Sequence, residues 1–182
     1  VNVQYTHQQR LLVLLQGEVL IKTAKDPNGR PFMVKSEQGL MQALGTVFNV
    51  RQKSSQTMLT VLEGKVKIQP DLTPQDAQII SAGQQSVFTE STISSIEKST
   101  KAAIAWSRGM IVADNMSLTD FVSELNRYHK GVLRCSADLV EVKVLGSYPS
   151  ANITQTLNML AATYPIRWTS RMGGYWITVE PK

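Results

Sequence analysis

The residues from 41 to 69 constrain the fold of this chain most strongly, because polar and apolar side chains alternate through them with a period of two. Such alternation is typical of strands that bury one face and expose the other. A polar break at 52–56 separates two arms, so the stretch predicts a β-hairpin. The buried parity changes along the second arm, and we expect a bulge or kink near Glu63 and Gly64, where glycine lets a strand bend.

Short apolar segments on both sides of the hairpin continue this pattern. They occupy residues 10–21, 32–35 and 77–88, and a loop rich in Pro, Asn and Gly lies at 25–31. No segment of this half has a helical period. The spacing predicts an antiparallel all-β sandwich or roll.

The chain length of 182 residues allows one large domain or two small ones, each with its own core. No apolar run approaches the roughly 20 residues that span a bilayer. The first residues already alternate like a strand, and we therefore expect the chain to be cut from a longer protein.

The second half introduces a helical period. Ser117 and Asp120 form a capping box before an apolar stripe at 118, 121, 122 and 125. A shift of 35 residues carries this pattern onto Asn152, Gln155 and a second stripe at 153, 157 and 160. Strand-like segments flank both helices, so the pattern predicts a duplicated βαβ unit. The whole chain is then an α+β protein, with an all-β first domain and a second domain of two helices on a small sheet.

The residue types that carry catalysis or bind metals are scarce. The chain has one cysteine, Cys135, and two histidines, His7 and His129, which lie in unlike segments. These spacings give no metal site, no cofactor site and no nucleophile with its base, so we expect no enzyme. The net charge of +5 is spread among acidic residues, which argues against a nucleic-acid partner. Binding to another protein is the function that these residues favour.

Five ordered blocks in the first half resemble the FecR-type domain. They are Arg10…Leu14…Gly17-Glu18, Arg30-Pro31-Phe32-x-Val34, the segment from Ala43 to Arg51, Val61-Leu62-Glu63-Gly64-x-Val66, and Ala82-Gly83-Gln84. The second half is similar to the short N-terminal (STN) domain of secretins and TonB-dependent receptors, through its apolar spacing and residues 125–128. This resemblance divides the chain into a FecR-type domain at 1–92, whose N-terminal strands are expected to be trimmed, a connector at 93–105 and an STN-like domain at 106–182.

The FecR resemblance implies the periplasmic region of an inner-membrane regulator of an extracytoplasmic-function sigma factor. Its membrane segment would be absent from this sequence. The implied partners are the N-terminal signalling domain of an outer-membrane TonB-dependent siderophore receptor and site-specific proteases that release the sigma factor. Two other classes stay open, namely a secretin or pilus-type assembly module and a periplasmic glycan-binding protein.

A receptor domain could bind by strand addition, in which an open sheet edge accepts a strand of the partner. The edges predicted for this are 132–135 and 175–179, and exposed aromatic residues would anchor the partner, although a packed core ring is the commoner role for each tryptophan. The candidate partner-binding residues are Trp106, Val132, Leu133, Arg134, Trp168, Tyr175, Trp176 and Ile177.

The FecR resemblance also implies a chemical possibility at Gly45-Thr46. Some members of that family cleave themselves at this pair, where the threonine hydroxyl attacks the glycine carbonyl and water opens the resulting ester. A simple structural role for Gly45, as a bend between strands, is the alternative. These two residues are therefore candidates for self-cleavage.

Overall fold

The structure is a computed structural model that describes residues 1–182, with the side chain of Lys101 left out. The chain divides into two compact units, Val1–Ala103 and Ile104–Lys182. Among the described residues, no helix has the length and apolar character needed to cross a membrane.

The first unit consists of two β-sheets. The strands of the six-stranded sheet, in spatial order, are β1 (Asn2–Tyr5), β2 (Arg10–Val13), β4 (Phe32–Lys35), β5 (Gly39–Ala43), β8 (Lys65–Pro70) and β9 (Gln78–Ser81). The five-stranded sheet has the order β11 (Glu97–Lys98), β10 (Gln84–Phe88), β7 (Gln56–Glu63), β6 (Val47–Lys53) and β3 (Gly17–Lys22).

A single apolar core lies between these two sheets. Met41 and Ile68 enter it from the six-stranded sheet, while Phe48 and Leu59 enter it from the five-stranded sheet, and all four are fully buried. Because both sheets contribute one face to one core, the unit is a β-sandwich, which is one of the two all-β forms that the sequence predicted. The antiparallel prediction is wrong at one pair, since β2 and β4 run parallel. The strand between them in sequence, β3, belongs to the other sheet, so the chain returns in the same direction.

The central part of the predicted hairpin is confirmed as β6 and β7, which pair from Val47 to Glu63 around a tight turn, whereas the start of the predicted first arm belongs to β5 of the other sheet. Odd-numbered residues such as Leu59 and Val61 are buried before the bend, whereas Val66 and Ile68 are buried after it. The change of parity is therefore also confirmed. At Gly64, which has a φ of 76°, the chain leaves the five-stranded sheet and enters the six-stranded one.

Several buried threonines in this core differ in how their hydroxyl groups are satisfied. Thr57 donates from its Oγ1 to the side-chain oxygen of Gln38 at 2.7 Å, and both residues are buried. The hydroxyls of Thr46 and Thr60 are buried without a hydrogen-bond partner among the described residues. A buried hydroxyl without a partner gives no stabilisation in return for its desolvation.

The segment predicted as a connector, 93–105, contributes partly to the first unit. Ile93 forms an isolated bridge to Phe88 and packs against the core, and β11 pairs with β10. A 3-10 segment, Lys101–Arg108, follows and includes the division between the two units.

The second unit contains two helices and five strands. In chain order these are β12 (Met110–Ser117), α1 (Leu118–Asn126), β13 (Val132–Cys135), β14 (Lys143–Pro149), α2 (Ile153–Thr163), β15 (Ile166–Arg171) and β16 (Trp176–Pro181). The strand-rich chain with two helices is consistent with the predicted α+β class.

Both predicted helix caps are present. The Ser117 Oγ accepts from the Asp120 backbone N–H at 3.1 Å, and the Asn152 Oδ1 accepts from the Gln155 N–H at 3.0 Å. Each cap satisfies an amide that lacks a partner within the helix, so each helix begins where the sequence predicts.

The sheet pairing of the second unit differs from a duplicated βαβ unit. In each half, a strand, a helix and a strand follow one another, and the helices begin 35 residues apart at Leu118 and Ile153. However, β12 pairs antiparallel with β14, while β13, β16 and β15 form a separate three-stranded sheet. The two strands that flank each helix therefore lie in different sheets, whereas a βαβ unit would place them side by side.

A second apolar core holds the helices on these sheets. The residues of the apolar stripe of α1 are buried, and the Phe121 ring meets the Tyr148 ring edge-on at a centroid distance of 5.0 Å. Gly131 lies so close to β16 that a Cβ added to it would be 1.8 Å from the Tyr175 carbonyl oxygen. This close approach allows β13 to join the sheet next to β16.

Candidate functional site

The predicted partner-binding strands lie in the three-stranded sheet of the second unit. Its order is β13, β16, β15, so β16 is the central strand. It pairs in parallel with β13 and antiparallel with β15. The prediction that residues 175–179 offer an open edge, with Trp176 and Ile177 on it, is therefore wrong, because the backbone groups on both sides of β16 are occupied by neighbouring strands.

The other predicted edge, β13, lies at the border of the sheet but is partly closed. The backbone N–H of Leu133 donates to the side-chain oxygen of Asn126 at 2.9 Å. Asn126 is the last residue of α1, and Leu133 is buried. Because a strand-edge amide already has a partner here, β13 has less to offer an added strand than the sequence pattern indicated.

The outward face of the sheet carries two of the predicted residues as a stacked pair. The Arg134 guanidinium lies over the Trp176 ring, 4.8 Å from its centroid. Val132 is half-buried beside them, and Tyr175 is 52% exposed at the start of β16. Arginine and aromatic side chains on an exposed face are the residue types that dominate binding energy at interfaces.

The remaining predicted aromatics are not free on the surface. Trp168 is half-buried against the second core, and its Nε1 donates to the Asn158 Oδ1 at 3.1 Å. Trp106 is also half-buried and lies in the 3-10 segment before β12. Trp168 therefore has the commoner role of a tryptophan, which is to pack against the core.

Apart from Trp168, no residue of β15 or of the adjacent flank of α2 was predicted from the sequence to bind a partner. Trp168 of β15 reaches Asn158, so the flank of α2 that carries Gln155, Asn158 and Ala162 lies on the side of β15. All of these α2 residues are exposed, and the helix has no charged residue along its whole length. An exposed helix without charge is the signal that could have indicated this surface, since charged residues normally dominate such faces.

The Gly45-Thr46 pair lies in the first unit, between β5 and β6. Gly45 is exposed with a φ of 71°, which confirms a bend there, whereas Thr46 is buried. The Thr46 N–H donates to the Thr23 Oγ1 at 2.8 Å, and the Thr46 carbonyl accepts from the Thr23 N–H at 2.9 Å. The Gly64 backbone packs directly on the Gly45 carbonyl. These contacts fix the peptide bond between Gly45 and Thr46 on both sides.

A cleft beside Gly45 contains charged side chains from the loop at 25–31. Asp26 accepts from the Arg30 guanidinium at 2.8 Å and from its backbone N–H, and these hydrogen bonds hold the pKa of the Asp26 carboxyl well below its usual range. The same ion pair raises the pKa of Arg30. The pair orders the loop, and no hydrogen bond from it reaches the Thr46 hydroxyl.

Among the described residues, no group of three or more His, Cys, Asp or Glu side chains is arranged to hold an ion. Cys135 on β13 is a free thiol, and burial raises its pKa, which lowers its reactivity at neutral pH.

Comparison with known protein families gives a match within the first unit. Residues 1–67 match the family described as FecR protein. A search of curated proteins found no match.

Two crystal structures of a candidate anti-sigma factor from Parabacteroides distasonis, at 1.65 and 2.50 Å resolution, resemble the whole chain. Each has a TM-score of 0.74 and 20% sequence identity over 98% of this chain, and the match covers 84% and 83% of their own lengths. At this identity the likeness shows a shared fold. It extends across both units, whereas the family match lies entirely within the first. Residues 1–67 of this chain therefore match the FecR protein family, to which the ordered sequence blocks had pointed.

Proposed function

We propose that this chain is the signal-receiving region of a regulator that controls an extracytoplasmic-function sigma factor. In this proposal the region lies in the periplasm, and the full-length protein is anchored in the inner membrane. The second unit binds the N-terminal signalling domain of an outer-membrane TonB-dependent siderophore receptor. That contact then permits the regulated proteolysis that frees the sigma factor.

The observation that carries this proposal is the FecR family match over residues 1–67. The ordered sequence blocks of the first half had already indicated a FecR-type domain, which is found in such sigma-factor regulators. The fold that the whole chain shares with an anti-sigma factor supports the same function, because the similarity includes the second unit as well as the first.

The surfaces of the second unit supply a physical reason for protein binding. Its three-stranded sheet has two border strands, β13 and β15, and an outward face with the stacked Arg134 and Trp176. Border strands with exposed backbone groups and arginine-aromatic faces are common in protein interfaces.

Binding to a panel of receptor signalling domains tests the proposal directly. The whole chain, immobilised through an added terminal tag, is exposed to purified signalling domains of TonB-dependent receptors from the same bacterium. We expect saturable one-to-one binding to one domain of the panel, and none to an unrelated periplasmic domain of similar size and charge. If no signalling domain binds at micromolar concentrations, the proposal is wrong.

We also propose a second candidate activity, a single cleavage between Gly45 and Thr46, which one observation favours. The Thr46 hydroxyl is buried beside this bond and has no hydrogen-bond partner among the described residues. Attack of the Thr46 Oγ1 on the Gly45 carbonyl carbon would form an ester and free the Thr46 amine, and water would then hydrolyse the ester. Because no base accepts the hydroxyl proton in this arrangement, we expect the reaction to be slow.

Intact mass under denaturing conditions tests this second candidate. We expect fragments that end at Gly45 and begin at Thr46 to accumulate over days, and a Thr46→Val variant, which keeps the shape of the side chain, to remain whole. A single full-length species throughout the incubation would exclude cleavage by the isolated chain.

A further inference from the structure

The border strand β15 has an open backbone edge. The Lys182 N–H donates to the Pro165 carbonyl at 3.1 Å, which fixes the phase of the antiparallel ladder between β15 and β16. In such a ladder alternate residues exchange hydrogen bonds with the partner strand. Arg167, Thr169 and Arg171 therefore face β16, and the backbone groups of Trp168 and Ser170 point to the open side.

The strand at the opposite border of the sheet, β13, does not have a fully open backbone edge. On β13 the Leu133 amide is occupied by Asn126, whereas no hydrogen bond to the open-side groups of Trp168 or Ser170 occurs among the described residues. Three consecutive residues at the end of β15, from 169 to 171, are exposed. Of the two border strands, β15 is the one that can accept a further strand along its edge.

The outward side chains of β15 give this edge a positive charge. Arg167 is 3.5 Å from Glu180 on β16, but both side chains are largely exposed, so the pair is weak. No salt bridge of Arg171 occurs in the described part of the chain. An incoming strand with acidic side chains on this face would place them opposite two arginines.

The other face of the edge has no charge. Trp168 points to that face and contacts Asn158 of α2, where the exposed flank consists of amide, hydroxyl, alanine and methionine side chains. Met159 on this helix is 38% exposed. A charged side chain would lose water here without gaining a partner, so small or apolar side chains fit this face best.

We propose that β15 accepts an extended segment of the partner protein as a fourth strand, and that this segment alternates acidic with apolar side chains. Its acidic residues lie opposite Arg167 and Arg171, and its apolar residues lie beside Trp168 and the uncharged flank of α2. The proposal rests on the proposed function for the identity of the partner, but not for the chemistry of the strand.

A second copy of this chain is a poor occupant of the edge. Antiparallel pairing of β15 with itself around Thr169 would place each Arg167 opposite an Arg171. Like charges directly opposite one another destabilise a strand pair. The arginines that attract an acidic strand therefore also oppose self-association.

A peptide titration tests the proposal on the whole chain without any receptor. The probe is a short capped peptide of alternating glutamate and valine, and the matched control replaces each glutamate with lysine. Backbone amide resonances are followed by NMR. We expect the glutamate peptide to shift the Trp168 and Ser170 signals, and the lysine peptide to shift neither. No shift at millimolar glutamate peptide, or shifts confined to β13, would overturn the proposal.

Variants then locate the binding edge. Arg171→Glu should lower the affinity of the chain for the glutamate peptide about tenfold, because attraction between the charges becomes repulsion. Arg108→Glu is the matched control, because it reverses the charge of an exposed arginine that lies outside the three-stranded sheet, and it should change the affinity less than twofold. Ser170→Pro removes an open-side N–H that β16 does not use, and edge strands tolerate proline there, so it should abolish binding. Equal losses from Arg171→Glu and Arg108→Glu would contradict the proposal.

Three further outcomes separate this proposal from its alternatives. A concentration-dependent dimer in sedimentation that Ser170→Pro abolishes would assign the edge to a second copy and overturn the proposal. If the glutamate peptide binds β15 but no receptor signalling domain binds the chain, the strand chemistry is supported and the proposed receptor function fails. If a signalling domain binds equally well to Arg171→Glu and Ser170→Pro, the receptor function holds and β15 is not its docking edge.

Discussion

Replacement of Gly64 by alanine tests how the chain crosses between the two sheets of the first unit. An ideal Cβ at this position would lie 2.2 Å from the Gly45 carbonyl oxygen and 2.9 Å from the Thr46 Cγ2. Gly64 also has a φ of 76°, a conformation that alanine adopts only with strain. The substitution therefore combines a backbone clash with conformational strain.

Gly83→Ala separates these two effects. Gly83 has a φ of 80°, close to that of Gly64, but no atom lies within 4 Å of its ideal Cβ. The left-handed conformation costs about 1 kcal/mol for alanine. Alanine also lowers the entropy of the unfolded chain, and this offsets about 0.5 kcal/mol of that destabilisation. We expect Gly83→Ala to lower the free energy of unfolding by less than about 1 kcal/mol.

For Gly64→Ala the clash adds to this cost. The new Cβ must move about 1 Å away from the Gly45 carbonyl to reach ordinary contact. That movement stretches the hydrogen bond from the Leu44 N–H to the Lys65 carbonyl, which is 3.0 Å long. Overpacking costs about 1–3 kcal/mol and a weakened hydrogen bond about 1 kcal/mol, so we expect a total loss of about 3–4 kcal/mol.

Urea denaturation of the whole chain measures this difference. The three tryptophans all lie in the second unit, so far-UV circular dichroism is needed to follow the first unit, while fluorescence reports on the second unit in the same samples. With an m-value of about 1.5 kcal/mol per molar urea, the midpoints of the two variants should differ by about 1–2 M. If Gly64→Ala and Gly83→Ala unfold within about 0.5 kcal/mol of each other, the reasoning about the close approach is wrong.

Three further predictions concern packing, buried hydroxyls and ionisation. Gly131→Ala should lower the free energy of unfolding of the second unit by about 2–4 kcal/mol, because the new Cβ would be 1.8 Å from the Tyr175 carbonyl oxygen; an unchanged fluorescence midpoint in urea would contradict this. Thr60→Val should be neutral or stabilising, because the Thr60 hydroxyl has no hydrogen-bond partner among the described residues. Thr57→Val should lower the free energy of unfolding by about 1–3 kcal/mol, because it leaves the buried side chain of Gln38 without its partner. Equal urea midpoints of the two variants by circular dichroism would refute this distinction. Burial, and next the neighbouring tyrosine, raises the pKa of Tyr148 to about 12, above the value near 10 of an unfolded tyrosine. The neutral phenol of Tyr148 therefore contributes its full stability to the fold below pH 10, and this contribution is lost as the pH rises toward 12. Absorbance titration at alkaline pH should show one late-ionising phenol that Tyr148→Phe removes, and an unchanged titration curve would contradict the assignment.

Local patterns in the sequence predicted the elements of this protein well. The parity change after Val61, the caps at Ser117 and Asn152 and the apolar stripe of α1 all depend on residues close together in the chain. Alternation shows which face of a strand is buried, and a cap shows where a helix begins. For these features a short stretch of sequence contains all of the interacting groups.

The sequence by itself thus determined the all-β character of the first unit, the turn of its hairpin, both helices and the FecR similarity of residues 1–67. Only the tertiary structure decided that β16 is the central strand, that Asn126 closes part of the β13 edge and that β15 is open. The physical reason is that alternation specifies the buried face of a strand but not its neighbours. Strand order comes from contacts between distant parts of the chain, and it is this order that exposes the candidate docking edge.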